Sequence, residues 1–373
     1  MGVCSSEVSE PQSTPIKNTV VLLGSAGSGK STLSKQLLIS FGAGFSEGDY
    51  ASFGRIIRTR VLEYMQTLIE ESKTLHERAK KSGGGSAASA EEKSMMSEAK
   101  FELGEKGVEM AETVLKADAY VENANPLSGI NSVGELIAEL WKNTGIQAVY
   151  SQRKHFKKRL NENAKFFLDK VKDIAHQDYR PTVEDILRCR QRTVGHIECA
   201  IEYQGMDCSV YDLGGQWDER RSWIPFINRC SSILFVVDTS SYDESLQEDR
   251  KKNKMSDALL LFEQIASMKA VERKPIVLFL NKMDLFTEKI KEVPINRCEE
   301  FAEYEGDLHD EEENLEYITG AFFSRAPAPK NARRILMHHC LCALDTEAVS
   351  KIFESVLSSI VQTSLERGGL LRT

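Results

Sequence analysis

The chain of 373 residues lacks any apolar run near 18 residues, so no helix in it is expected to span a membrane. It also lacks the apolar core of a secretory leader near its start. Basic charge is not in excess. With 48 Lys and Arg against 56 Asp and Glu, the net charge of −8 argues against nucleic acid as a partner, since a phosphate backbone needs a basic face. Runs such as Arg153–Lys154 and Lys157–Arg159 then read as solvated helix surface. None of the eight cysteines forms a Cys-x-x-Cys pair, which argues for reduced thiols over a zinc site or a disulfide framework. Disorder is excluded too, with 41% hydrophobic and 28% charged residues. The length calls for two domains or one enlarged one.

What is present has two textures. Asn18–Leu23 is a short apolar, β-branched run that ends at Gly24, and a helical pattern follows Lys30. From about Asp49 to His176, helical periodicity takes over. It shows in Ile56, Ile57, Val61, Leu62, Met65, Leu68 and Ile69, again in Val133, Leu136, Ile137, Leu140 and Trp141, and again from Phe166 to Ile174. Inside this block, 82–98 begins as a Gly/Ser/Ala stretch and reads as a flexible connection. After Pro181 strands return: His196–Tyr203 and Asp207–Asp212 flank Gln204-Gly205-Met206 as a hairpin, and Ile233–Asp238 and Ile276–Leu280 suit a buried parallel sheet. A last helix shows in Val349, Ile352, Phe353, Val356, Leu357 and Ile360. The expected organisation is a terminal segment 1–17, an α/β domain from 18–46 and 186–373, and an all-helical insertion over 47–185.

Gly24-Ser25-Ala26-Gly27-Ser28-Gly29-Lys30-Ser31, followed by Thr32, fits the phosphate-loop pattern between a strand and a helix. Its glycines let backbone N–H groups wrap the α- and β-phosphates. Lys30 reaches the β- and γ-phosphates, Ser31 offers a hydroxyl to Mg²⁺, and the next helix aims its dipole at the same anion. The loop alone indicates a nucleoside triphosphate.

Asn281-Lys282-Met283-Asp284 follows a buried strand at its C-terminal end, where open α/β sheets bind ligands. A carboxylate there accepts from guanine N1–H and the 2-amino group. Adenine would leave Asp284 unpaired, which disfavours an ATPase or kinase. Asp212-Leu213-Gly214-Gly215-Gln216 also follows a strand: Asp212 is placed to hold Mg²⁺, Gly215 to donate to the γ-phosphate and Gln216 to orient water. Upstream, Thr193 is a candidate to complete the Mg²⁺ shell and Arg190 a candidate to neutralise developing charge.

These motifs, in this order and around a helical insertion, resemble the Gα subunits of heterotrimeric G proteins over nearly the whole chain. The resemblance implies a Ras-like P-loop GTPase domain, with a mostly parallel six-stranded sheet, helices on both faces and an inserted all-helical domain. It implies GTP/GDP and Mg²⁺ as ligands, with Lys30, Arg190 and Gln216 as catalytic residues and Arg190 as the family's arginine supplied in cis. Leu187 and Arg188 join the nucleotide site by the same implication, and Cys342 and Ala343 approach the base. Implied partners are a seven-helix receptor at the C-terminal helix, and effectors and RGS-type activating proteins at the switch segments.

Several positions depart from the family pattern. The usual loop Gly-Ala-Gly-Glu-Ser-Gly-Lys-Ser here has Ala26 for a glycine and Gly27 for the glutamate. The Ala26 methyl group is expected where the γ-phosphate, Gln216 and Arg190 converge, and since catalysis by positioning is sensitive to shifts of about 1 Å, slow hydrolysis is expected. Trp217 replaces an arginine and is either a partner anchor or packed on the neighbouring helix. Leu341 and Leu344 replace two threonines around Cys342 and Ala343, an expected loss of bracing at the base. Few residues precede the first strand and Pro11 and Pro15 break a helix there, so Gβγ binding is left open, with Arg220 and Trp223 as a residual surface. Met1-Gly2-Val3-Cys4-Ser5-Ser6 fits the myristoylation pattern with a second acyl site at Cys4, or is an ordinary start followed by small residues. Two acyl chains would anchor the protein stably at the cytoplasmic face of a membrane. The expected function is a signal-transducing GTPase. The alternative is a nucleotide-bound adaptor with negligible turnover and no Gβγ partner.

Overall fold

The computed structural model describes residues 18–82, 101–118, 125–128, 132–153, 156, 160–246, 249–328 and 334–367. Gly2, Cys4, the Gly/Ser/Ala stretch over 83–98 and the C-terminal 368–373 lie outside the described residues. The chain divides into two compact units, one formed by 1–44 with 191–373 and the other by Phe45–Arg190.

The first unit is built on β1 (Asn18–Leu23), β2 (His196–Tyr203), β3 (Met206–Leu213), β4 (Ser232–Asp238), β5 (Ile276–Asn281) and β6 (Leu336–Leu341), in the order β2-β3-β1-β4-β5-β6. β2 pairs antiparallel with β3, and the other neighbours are parallel. Because β1, β4 and β5 are apolar at nearly every position, both faces of the sheet must be covered. Val20, Leu22, Leu234, Val236, Val277 and Phe279 face α1 (Lys30–Phe41) and the last helix, Thr346–Arg367. Val21, Leu23, Ile233, Phe235, Val237 and Leu278 face the opposite helical layer, formed chiefly by Lys254–Ala266 and Glu311–Ser324. The last helix buries Val349, Phe353, Val356, Leu357 and Ile360, the stripe its periodicity predicts.

The hairpin between β2 and β3 turns on two residues. Gln204 and Gly205 have φ of 51° and 74°, the doubly left-handed turn that matches strand twist, and Met206 already belongs to β3.

The second unit is helical among its described residues: α2 (Glu47–Ser82), α3 (Gly104–Lys116), α4 (Val133–Lys142), α5 (Thr144–Ser151), α6 (Ala164–Asp169), α7 (Val171–Ala175) and α8 (Val183–Arg188). α2 contributes Ile57, Val61, Leu62, Met65, Leu68 and Ile69 to one core with Ile137, Leu140 and Trp141 of α4. The pattern from Phe166 to Ile174 is not one helix but two, parted at Lys170, whose ammonium reaches Asp185 Oδ1 at 2.5 Å. The unit boundary also lies later than the composition suggests. α8 starts with a capping box between Thr182 and Asp185, and Asp185 is held by Lys170 and Tyr179. Ile186 and Leu187 are buried, and Cys189 joins the helical core, so 186–190 belong with the helices. Among the described residues none of the seven cysteines is in a disulfide, and no helix is long and apolar enough to cross a membrane.

Candidate functional site

The C-terminal ends of the parallel strands carry the predicted motifs. β1 stops at Leu23 and the chain turns through Gly24, whose φ is 139°; a Cβ there would fall 2.2 Å from the Val236 carbonyl oxygen. At Gly29, with φ of 104°, a Cβ would fall 2.0 Å from Asn281 Nδ2. Both positions therefore require glycine. Lys30 opens α1, is 6% exposed and donates from Nζ to the Gly24 and Ser25 carbonyls at 2.9 Å each. Burial pulls its pKa down to about 8, with Asp212 opposing and Arg220 reinforcing the effect. Its positive charge is thus held in a desolvated loop at a helix N-terminus, an arrangement suited to an anion.

Beside this loop, three oxygen donors converge. Ser31 Oγ and Thr193 Oγ1 share a hydrogen bond at 2.7 Å, and Thr193 Oγ1 donates to Asp212 Oδ2 at 3.2 Å. Asp212 is 1% exposed and its Oδ1 has no partner, and burial pushes its carboxyl pKa up despite hydrogen bonding from Ser31. An orphaned buried carboxylate oxygen flanked by two hydroxyls is a donor set that fits a hard divalent cation. The hydroxyl of Ser28, which is wholly buried, is also unpartnered. Ser25 is buried, Ala26 half-buried and Gly27 exposed with φ of 79°, and Thr32 lies in the first turn of α1.

At the other end of the site, Asn281 is 1% exposed and works as a brace. Its Nδ2 donates to the Ser28 carbonyl at 2.8 Å, and its Oδ1 accepts from the Ala343 N–H at 2.9 Å. One side chain therefore ties the phosphate loop to the segment after β6. Gln36 of α1, wholly buried, adds a second tie by donating to the Ala343 carbonyl at 2.8 Å. Gln36 is absent from every motif. The signal for it was a glutamine on the apolar face of α1 between Leu33 and Leu37. Asp284 is exposed and neighbours Cys342, whose thiol pKa is pushed up by burial and further by that carboxylate. Lys282 pairs with Asp238 at 2.9 Å. Leu341 is 3% exposed in the sheet core, so its side chain packs where a hydroxyl is expected, while bracing runs through the backbone of Ala343.

A sequence model of the G-protein α subunit matches residues 5–360. The guanine nucleotide-binding protein alpha-9 subunit of Dictyostelium discoideum is 33% identical over 350 residues, covering 93% of this chain and 90% of that protein. The G(o) subunit alpha of Caenorhabditis elegans is 32% identical over 351 residues, covering 94% and 90%, and that of Lymnaea stagnalis is 32% identical over 354 residues with the same coverage. The chain belongs to the G-protein α-subunit family. Its mostly parallel sheet and helices correspond to the family's Ras-like domain, accompanied by the family's helical one.

In this Gα chain the segment after β3 lies against the phosphate loop. A Cβ on Gly215 would meet Lys30 Nζ at 2.4 Å, the Gly24 carbonyl at 2.8 Å and the Ala26 nitrogen at 3.0 Å. Gly214 donates to the Gly195 carbonyl at 3.0 Å and accepts from the Trp223 indole at 2.8 Å. Trp223 is 2% exposed, so it supports this segment from inside and offers no partner surface, contrary to the sequence expectation. Gln216 is half-buried, and its carbonyl accepts from the Glu219 and Arg220 N–H groups. Trp217 is likewise half-buried and packed: its indole donates to Asp257 and its ring lies 4.2 Å from Lys252 Nζ.

Leu187, Arg188 and Arg190 belong to the helical unit of this Gα chain. Leu187 is buried. Arg188 donates to Glu184 Oε1 at 2.9 Å and Asn163 Oδ1 at 3.3 Å and stacks over Phe166 at 4.6 Å. Arg190 is exposed, near enough to Tyr64 to oppose the burial that pushes that phenol up.

Proposed function

We propose that this chain is a guanine nucleotide-binding signal transducer, switched between active and inactive states by Mg²⁺-dependent GTP hydrolysis. The observation that carries the reading is the convergence of Ser31, Thr193 and Asp212, with its orphaned Oδ1, beside buried Lys30. The relatives' names describe guanine nucleotide-binding proteins, which accords with an exposed Asp284 beside Cys342 at the other end of the site.

Lys30, with the Gly24–Ser31 backbone, binds the phosphates, and Thr32 lines the same nucleotide. Asn281 holds the loop and the base segment together, Lys282 and Ala343 flank the base, and Asp284 with Cys342 reads its edge. Ser31, Thr193 and Asp212 would hold Mg²⁺, which would supply positive charge against the phosphates. Gly215 donates to the γ-phosphate and Gln216 orients water, as in the family. The order of the segments around Thr193 and Gly215 then differs between the two nucleotide states, and partners read that difference. By the same reading a seven-helix receptor engages the last helix, effectors and RGS-type proteins engage the switch segments, and acylation at Gly2 and Cys4 holds the protein at the cytoplasmic face of a membrane.

Single-turnover cleavage of GTP, with and without Mg²⁺ and with Gln216→Leu as control, tests the enzymatic part. Slow Mg²⁺-dependent phosphate release that the variant abolishes is expected. No release from the unaltered protein would leave the adaptor reading, which Ala26 and Gly27 favour.

A further inference from the structure

The short helix α11, Met283–Lys289, counted after α9 (Ile224–Arg229) and α10 (Lys254–Ala266), carries Asp284 in its first turn. It is entered through Lys282, whose φ of 65° and ψ of 42° are left-handed, and no side chain caps it. A non-glycine residue keeps that backbone only where its surroundings hold it. Here they do. Lys282 Nζ pairs with Asp238 Oδ2 at 2.9 Å, with side chains 17% and 11% exposed. Asp238 is aligned in turn by Ser240 Oγ, which donates to Oδ1 at 2.7 Å, and by its register opposite Asn281. At the far end of α11, Lys289 Nζ donates to the Ser240 carbonyl at 2.6 Å, Asp243 Oδ1 at 2.7 Å and Glu244 Oε1 at 3.2 Å. Between these ends, Phe286 and Tyr242 are fully buried and meet edge-to-face with centroids 6.0 Å apart.

One loop, 238–244, therefore grips α11 at its entry, its middle and its exit. We infer that this grip positions Asp284, making Asp238 a determinant of guanine selectivity that lies outside the Asn-Lys-x-Asp motif. The inference rests on the guanine reading of the site. A carboxylate accepting two hydrogen bonds from one base edge must be fixed in both position and tilt. Asp284, exposed at its tip, gets that rigidity from the helix it stands on. Asp238 does not touch the base in this account; it is a positioning residue acting through Lys282.

The test compares the affinity of the full chain for GDP, for IDP, which lacks the 2-amino group, and for ADP. Asp238→Asn removes the charge that holds Lys282 and is expected to shrink the GDP-to-IDP affinity ratio about tenfold. Asp238→Glu is expected to restore part of the ratio, and thermal unfolding reports the fold of each variant. If Asp238→Asn does not fold, Lys289→Met removes the other end of the grip and carries the same expectation. An unchanged ratio, equal weakening of GDP and IDP, or loss of folding in both variants would overturn the positioning role. Failure of the guanine reading looks different: the unaltered protein would then hold ADP as tightly as GDP.

Discussion

The Trp217 indole donates to Asp257 Oδ1 at 3.2 Å, on the same carboxylate that takes both terminal nitrogens of Arg220 at 2.6 and 3.0 Å. Arg220 also donates to the Gly215 carbonyl at 3.4 Å, so one acidic residue of α10 holds the segment that lies on the phosphate loop. The Arg220 and Asp257 side chains are 18% and 7% exposed. Breaking such a pair from one side leaves a desolvated charge behind. Asp257→Ala is predicted to lower unfolding free energy by about 3 kcal/mol in urea titration. It should also red-shift Trp217 emission, as the indole loses its partner.

Asn281 faces a harsher test because it satisfies two buried backbone groups at once. Asn281→Ala orphans the Ser28 carbonyl and the Ala343 N–H, at about 1–3 kcal/mol each. GDP release measured by fluorescent-nucleotide displacement should accelerate by about thirtyfold or more. Asn281→Asp keeps the acceptor for Ala343 and loses only the donor to Ser28, so its release rate should fall between the two.

The strands were legible in the sequence because a sheet buried on both faces leaves unbroken apolar runs, as in Ile276–Leu280. The phosphate loop was legible because its chemistry demands glycine at Gly24 and Gly29. Pairings between distant segments were not. Nothing local to Asp238 announces Lys282, and nothing around Gln36 announces the Ala343 carbonyl. Apolar spacing alone gave one helix through Phe166–Ile174, since the break at Lys170 accompanies a charge pair with Asp185 that lies further along the chain. Trp217 was undecided for the same reason, its partner Asp257 being on another element.

Lys30 makes nucleotide binding pH-dependent. In the free protein its pKa is lowered to about 8 by burial, and a bound phosphate raises it by supplying the missing counter-charge. Below pH 8 the group is protonated in both states and affinity is flat. Above pH 8 the free protein loses the proton and binding must recover it, so the Kd for GDP should rise with pH, by up to about tenfold per unit. Calorimetry in buffers of different ionisation enthalpy should show proton uptake on binding at pH 9 and almost none at pH 7.

The Ala26 nitrogen lies 3.0 Å from where a Gly215 Cβ would stand, so residue 26 borders the segment that carries Gln216. Removing the methyl with Ala26→Gly should accelerate single-turnover GTP cleavage, on the order of tenfold, with little change in GDP affinity. An unchanged rate would show that the methyl group is not what slows the reaction.

The most direct test of the account is equilibrium competition between GDP and ADP for the purified full chain. Asp284 left desolvated and unpaired by adenine predicts a preference for GDP on the order of 10⁴-fold. Equal affinity for the two, or binding of neither, would contradict the central claim.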